Sequence, residues 1–190
     1  MNCAVVYSSK TGNTKKVAEA IYQILPAGSG LFSVEQAPEP AEFDILFLGF
    51  WVNRGLPDDK MKEYMEKVEN MEVGLFATLG AYPDSEHARK SMEKAEGLLG
   101  AGCQVLATFI CQGKIDPSLT KKFERLPADH PHAMTVERRE RHEIAKSHPD
   151  QQDLAKAREI FREIIDDKLA GRRSLRLSKS PHEEGEIYET

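Results

Sequence analysis

Between an apolar stretch at residues 3–7 and the first run of helical periodicity lies Ser8-Ser9-Lys10-Thr11-Gly12-Asn13-Thr14, a segment that gathers hydroxyls around one glycine. Hydroxyls donate to phosphate oxygens, Gly12 lets the backbone approach a ligand closely, and a helix start supplies unpaired N–H groups at the positive end of its dipole. Such a set receives a phosphate monoester without neutralising it, which suits a group that stays bound through a reaction. A plain helix cap would need only Thr11 or Asn13, not the whole run. The patterns G-x-x-x-x-G-K-[ST] and G-x-G-x-x-G are both absent, so neither NTPase nor dinucleotide-binding chemistry is supported.

Two further segments, residues 50–57 (F-W-V-N-R-G-L-P) and 78–84 (T-L-G-A-Y-P-D), each follow a strand-like run. Trp51, the only tryptophan, and Tyr82 offer flat aromatic faces to a flat ligand, while Gly55 and Gly80 suit turns or close backbone approach. The remaining reactive residue types read as structural. Cys3, Cys103 and Cys111 lie in or beside apolar runs with no C-x-x-C pair, as reduced core thiols do. His130, His132, His142 and His148 stand in a polar region without a recognised ligand framework, so solvated side chains are expected and no metal site is assigned. No Ser/His/Asp or Cys/His arrangement is present to propose, and no catalytic residue is assigned.

The elements that would position these segments follow from periodicity. Residues 3–7, 44–50, 73–78 and 104–111 are continuous apolar runs of buried-strand length, and 31–36 fits a shorter strand. Between them, Val17, Ala18, Ile21, Ile24 and Leu25, then Met61, Tyr64, Met65 and Val68, then Ala88, Met92, Ala95 and Leu99 recur at helical spacing. Leu154, Ala157, Phe161, Ile164 and Ile165 mark a final long helix entered through Pro149 and Asp150. Five strands alternating with helices predict a parallel sheet covered on both faces, with ligands at the carboxyl ends of the strands. The loops at 8–14, 51–58 and 78–84 therefore matter most. Residues 113–149 exceed an ordinary connection and read as an insertion before the last helix, with 134–146 a highly charged surface helix or lid. A single domain over 1–170 is expected, followed at 171–190 by a polar tail without fixed structure.

The chain of 190 residues has net charge −5, and residues 1–100 hold 10 Lys/Arg against 15 Asp/Glu. An acidic balance argues against nucleic acid as a partner and suits docking to a basic protein surface. No apolar run approaches a membrane span, and residues 1–7 do not read as a signal peptide, so no membrane contact and a place in the cytoplasm are expected.

The string S-x-T-G-N-T, after an N-terminal strand and before an amphipathic helix, closely resembles the FMN-phosphate loop of the flavodoxin family, over residues 1–112 and 150–170. The resemblance implies a three-layer α/β sandwich whose five-stranded parallel sheet runs in the order 2-1-3-4-5, and FMN as cofactor. It implies that Ser9, Thr11, Asn13 and Thr14 hold the phosphate, with Lys10 and Gly12 contributing mainly backbone. Trp51, Val52, Asn53, Gly55, Thr78, Leu79, Gly80 and Tyr82 would face the flavin ring, although Trp51 follows its strand more immediately than the tryptophan of familiar flavodoxins. The implied function is an electron carrier rather than an independent enzyme, taking electrons from a reductase or ferredoxin-type donor and donating them to a flavin- or metal-dependent partner enzyme. The alternatives are an FMN-dependent NAD(P)H oxidoreductase of the quinone or flavin reductase type, with the insertion forming its substrate pocket, and a flavin-free binding module.

Overall fold

The computed structural model describes residues 1–127, 129–130 and 132–178. Its strands are β1 (Cys3–Tyr7), β2 (Gly30–Ser33), β3 (Ile45–Asn53), β4 (Leu56–Pro57), β5 (Glu72–Leu79) and β6 (Gln104–Gln112). The helices are α1 (Asn13–Tyr22), α2 (Asp59–Met65), α3 (Glu86–Glu96), α4 (Pro117–Glu124), α5 (Val136–Ala145) and α6 (Gln151–Ser178). The sheet runs β2-β1-β3-β5-β6 with every neighbour parallel. Setting aside the two-residue β4, this is the expected five-stranded order 2-1-3-4-5 and the expected α/β sandwich.

Alternation along the strands feeds two cores. Cys3, Val5, Phe47 and Phe76 point to one face and pack with α1 and α6 through Val17, Ile21 and Phe161. Ala4, Val6, Leu46, Leu48 and Leu75 point to the other, against Met61 and Met65 of α2 and Met92 of α3. Phe161 sets its edge against Phe47, with ring centres 5.4 Å apart at 82°, and against Phe76 at 6.4 Å, locking the last helix to mid-sheet. Cys3, Cys103 and Cys111 form no disulfide with one another, and burial pushes the Cys111 thiol well above its ordinary pKa.

Three boundaries differ from expectation for physical reasons. Strand β3 continues through Trp51, Val52 and Asn53, because Val52 and Asn53 find antiparallel partners in Pro57 and Leu56. What reads as a loop at 51–58 is thus a strand end and a two-residue hairpin. Arg54 and Gly55, at φ 54° and 81°, both take the left-handed conformation that such a turn demands. Strand β2 stops at Ser33 and yields to a short 3₁₀ turn, Val34–Gln36. Helix α6 runs through Gly171, where a tail without structure was expected, to Ser178; the rest of that tail, 179–190, lies outside the described residues. Among the described residues no helix is long and apolar enough to cross a membrane.

Residues 113–149 carry α4 and α5. Helix α5 inverts the hydropathy reading: Val136 and Ile144 face solvent, whereas His142 and Ala145 are buried.

Candidate functional site

At the carboxyl ends of β1, β3, β5 and β6 the structure opens a cleft of about 230 Å³, continuous with solvent. Lys10, Thr11, Asn13, Trp51, Val52, Thr78, Leu79 and Gly80 line it, bringing together most of the residues singled out in the three loops. A second, more polar cleft lies beyond Trp51 and is lined by Ser8, Ser9, Lys10, Asn53 and Asp58, so Trp51 and Lys10 border both. Lys10 reaches further than a backbone role implies, since its Nζ stands 5.3 Å from the Trp51 ring centre.

The loop before α1 is arranged for an anion. The N-cap is Gly12, at φ 86°, which has no side chain to cap with, so neither Thr11 nor Asn13 serves as a plain N-cap. Lys16 N–H donates back to the Gly12 carbonyl, and only from there are the helix donors satisfied within the helix. The hydroxyls are held by bonds they accept, which leaves their own protons to give. Thr11 Oγ1 accepts from Asn13 Nδ2 at 2.9 Å, and Ser9 Oγ accepts from Lys15 N–H at 3.3 Å. Thr14 and Thr78 share one hydrogen bond of 2.9 Å, so one of the two keeps a free proton. Asn13 Nδ2 also donates to the Lys114 carbonyl at 2.9 Å, tying the loop to the β6–α4 connection. A Cβ on Gly113 would come within 2.8 Å of that amide, so the close approach requires glycine there.

Other predicted residues sit apart from the first cleft. Gly55 is in the hairpin, with the His87 side chain nearest to a notional Cβ; Asn53 lines only the second cleft. Tyr82 is 40% exposed and does not line either cleft.

Sequence reasoning missed four groups of the site. Asp58 is buried, accepts from Ser8 Oγ at 2.7 Å, and has a sealed Oδ2 with no hydrogen-bond partner among the described residues. Burial pushes its carboxyl above the usual carboxylate range, against the opposing Ser8 hydrogen bond. Phe123 of α4, with Arg141 and His142 of α5, forms the far wall of the first cleft. His142 is buried, not solvated: its Nδ1 meets Thr120 Oγ1 at 2.9 Å, and burial, then the Arg141 and Arg138 charges, lowers its pKa. The unusual charge of 134–146, lacking an apolar stripe, was the one available signal. It could not tell which charges turn inward.

A parallel sheet of this order with a hydroxyl-rich helix start at its switch point is a doubly wound α/β fold. The chain matches the Flavodoxin domain over residues 4–162, and it belongs to that family. It is 34% identical over 164 residues to the flavodoxin-like domain-containing protein BilS of Clostridioides difficile (strain CD3), covering 83% of this chain and 92% of that protein. To the BilS of Clostridium symbiosum (strain WAL-14163) it is 29% identical over 176 residues, covering 82% and 91%. Among solved structures, oxidised flavodoxin 1 of Bacillus cereus superposes with a TM-score of 0.53 at 14% identity, covering 87% of this chain and 98% of that one. At such identity the likeness shows the fold alone.

Proposed function

We propose that this protein binds FMN non-covalently and carries electrons between redox enzymes. The observation that carries this reading is the start of α1 at Gly12, where Ser9 and Thr11 hydroxyls accept from neighbouring groups and keep their own protons for an oxyanion. The donor set fits a phosphate monoester. Ser9, Thr11 and Thr14 hold the phosphate with the Gly12 and Asn13 backbone, while the Asn13 side chain orients Thr11. Trp51, Val52, Thr78, Leu79 and Gly80 form the wall for a planar ring, with Asn53, Gly55 and Tyr82 at its margins. The bound flavin supplies the electron chemistry. The chain's own part is to fix orientation, exclude water and present the cofactor to a partner. The acidic first half suits a basic docking surface on a donor reductase or ferredoxin-type protein and on a flavin- or metal-dependent acceptor, in the cytoplasm. A single domain over 1–170 carries all of this.

One observation favours a second reading, an FMN-dependent NAD(P)H oxidoreductase. Helices α4 and α5 line the cleft, as a substrate lid would.

Anaerobic stepwise photoreduction of FMN-reconstituted protein, followed by NADPH added to a fresh oxidised sample, separates these. A spectrally distinct one-electron stage and indifference to NADPH are expected of the carrier. Direct bleaching by NADPH in a single two-electron stage would establish the oxidoreductase, and failure to retain flavin would overturn both.

A further inference from the structure

Arg141 brings a cation into the first cleft from the α5 side. Among the described residues no carboxylate pairs with it, and its Nε is sealed from solvent with no acceptor. Its neighbour in charge is Arg138, another cation. Arg141 is half-buried, and an N–H sealed from water without an acceptor is unfavourable, which a ligand that completes the guanidinium would relieve. Its position is not accidental: Gln112, the last residue of β6, donates through Nε2 to the Arg141 carbonyl at 3.5 Å, and adjacent His142 is anchored on Thr120. The walls beside it are apolar, formed by Ile115, Leu119 and Phe123.

We infer that Arg141 is an anion-binding residue of the cleft, placed by the α4–α5 cover to take an oxyanion of a molecule bound between that cover and the sheet. The inference rests on the reading of the cleft as the FMN site. The same chemistry has two sources, the phosphate of the cofactor itself or the carboxylate of a second, apolar ligand entering under α4 and α5. A planar guanidinium receives either by paired hydrogen bonds.

Binding by wild type, Arg141→Gln and Arg141→Lys distinguishes them, with far-UV circular dichroism and melting confirming that each variant is folded. FMN and riboflavin are titrated into the apoprotein, and 1-naphthoate and neutral 1-naphthamide into the flavin-loaded protein, read as a change in flavin absorption. Loss of roughly ten- to hundredfold in FMN affinity in Arg141→Gln, with riboflavin unaffected and partial recovery in Arg141→Lys, assigns the phosphate. The same loss confined to naphthoate, sparing naphthamide and FMN, assigns a second ligand. Unchanged binding of FMN and naphthoate by Arg141→Gln would overturn the inference. A wild-type protein that holds no FMN sinks the cofactor reading instead, and naphthoate titrated into the apoprotein, read by the ligand's own fluorescence, then still tests Arg141.

Discussion

The two walls of the cleft treat their polar groups in opposite ways. In the sheet-borne wall the side chains satisfy one another: Asn13 with Thr11 and the Lys114 carbonyl, Thr14 with Thr78, Ser8 with Asp58. In the helical cover, α4 buries no residue and α5 buries only His142 and Ala145, while Arg141 Nε is sealed without an acceptor among the described residues. The first wall stands on two full cores and is preorganised; the second is held by a few contacts and is completed by what it covers. A rigid receiver opposite a loosely held cover is the arrangement expected where a cofactor stays and something else comes and goes.

The sharpest way to break this contrast is to disable the preorganised wall. Replacing Thr11 and Thr14 together by alanine removes two hydroxyl donors to a charged phosphate, each worth about 1.5–3 kcal/mol. FMN affinity should fall by roughly 10²–10⁴-fold in a flavin fluorescence titration. Thr11→Ser with Thr14→Ser keeps the hydroxyls and should keep most of the affinity. Undiminished binding by the double alanine variant would remove the phosphate from this loop altogether.

The next largest effect separates the walls by stability. Phe161→Ala deletes a fully buried ring that holds α6 against Phe47 and Phe76, and should cost about 3–5 kcal/mol of global stability in urea unfolding. Phe123 is half-buried in the cover, stacked on His132 with the Arg138 guanidinium 5.8 Å from its ring. Phe123→Ala should cost only about 1 kcal/mol, and its effect should appear as faster amide exchange confined to α4 and α5. Equal global losses from the two substitutions would show that the cover is part of the core.

The same contrast decided what was legible in the sequence. Continuous apolar strands and 3.6-residue stripes announce a parallel sheet, and its carboxyl ends then locate residues 8–14 and 78–80 without any contact being known. Strand β3 ran past its expected end because Arg54-Gly55 makes a hairpin whose signal is two residues long, too weak beside the polar run around it. Arg141 and His142 were invisible because α5 has no apolar stripe: its inward face is set by contacts to β6 and α4, some 20–30 residues away in sequence. Tyr82 has an aromatic ring and a place in the right loop, but a loop gives no periodicity from which to judge direction.

The smallest effect comes from the one place where the sheet-borne wall resembles the cover. Asp58 Oδ2 and Arg141 Nε are the sealed side-chain atoms without a partner among the described residues, one beyond Trp51 and one before it. Burial raises the folded-state pKa of Asp58 above its ordinary 3.8. Its contribution to stability is therefore fully present below the unfolded value and is lost as pH rises through the folded one. Asp58→Asn does not titrate, so the variant's urea midpoint should gain on that of the wild type from about pH 4 upward, then level off once the wild-type carboxyl is ionised. A difference that stays flat with pH would mean that Asp58 titrates alike folded and unfolded. The second cleft would then be as well solvated as the chain in water, and the sheet-borne wall would hold no unbalanced group at all.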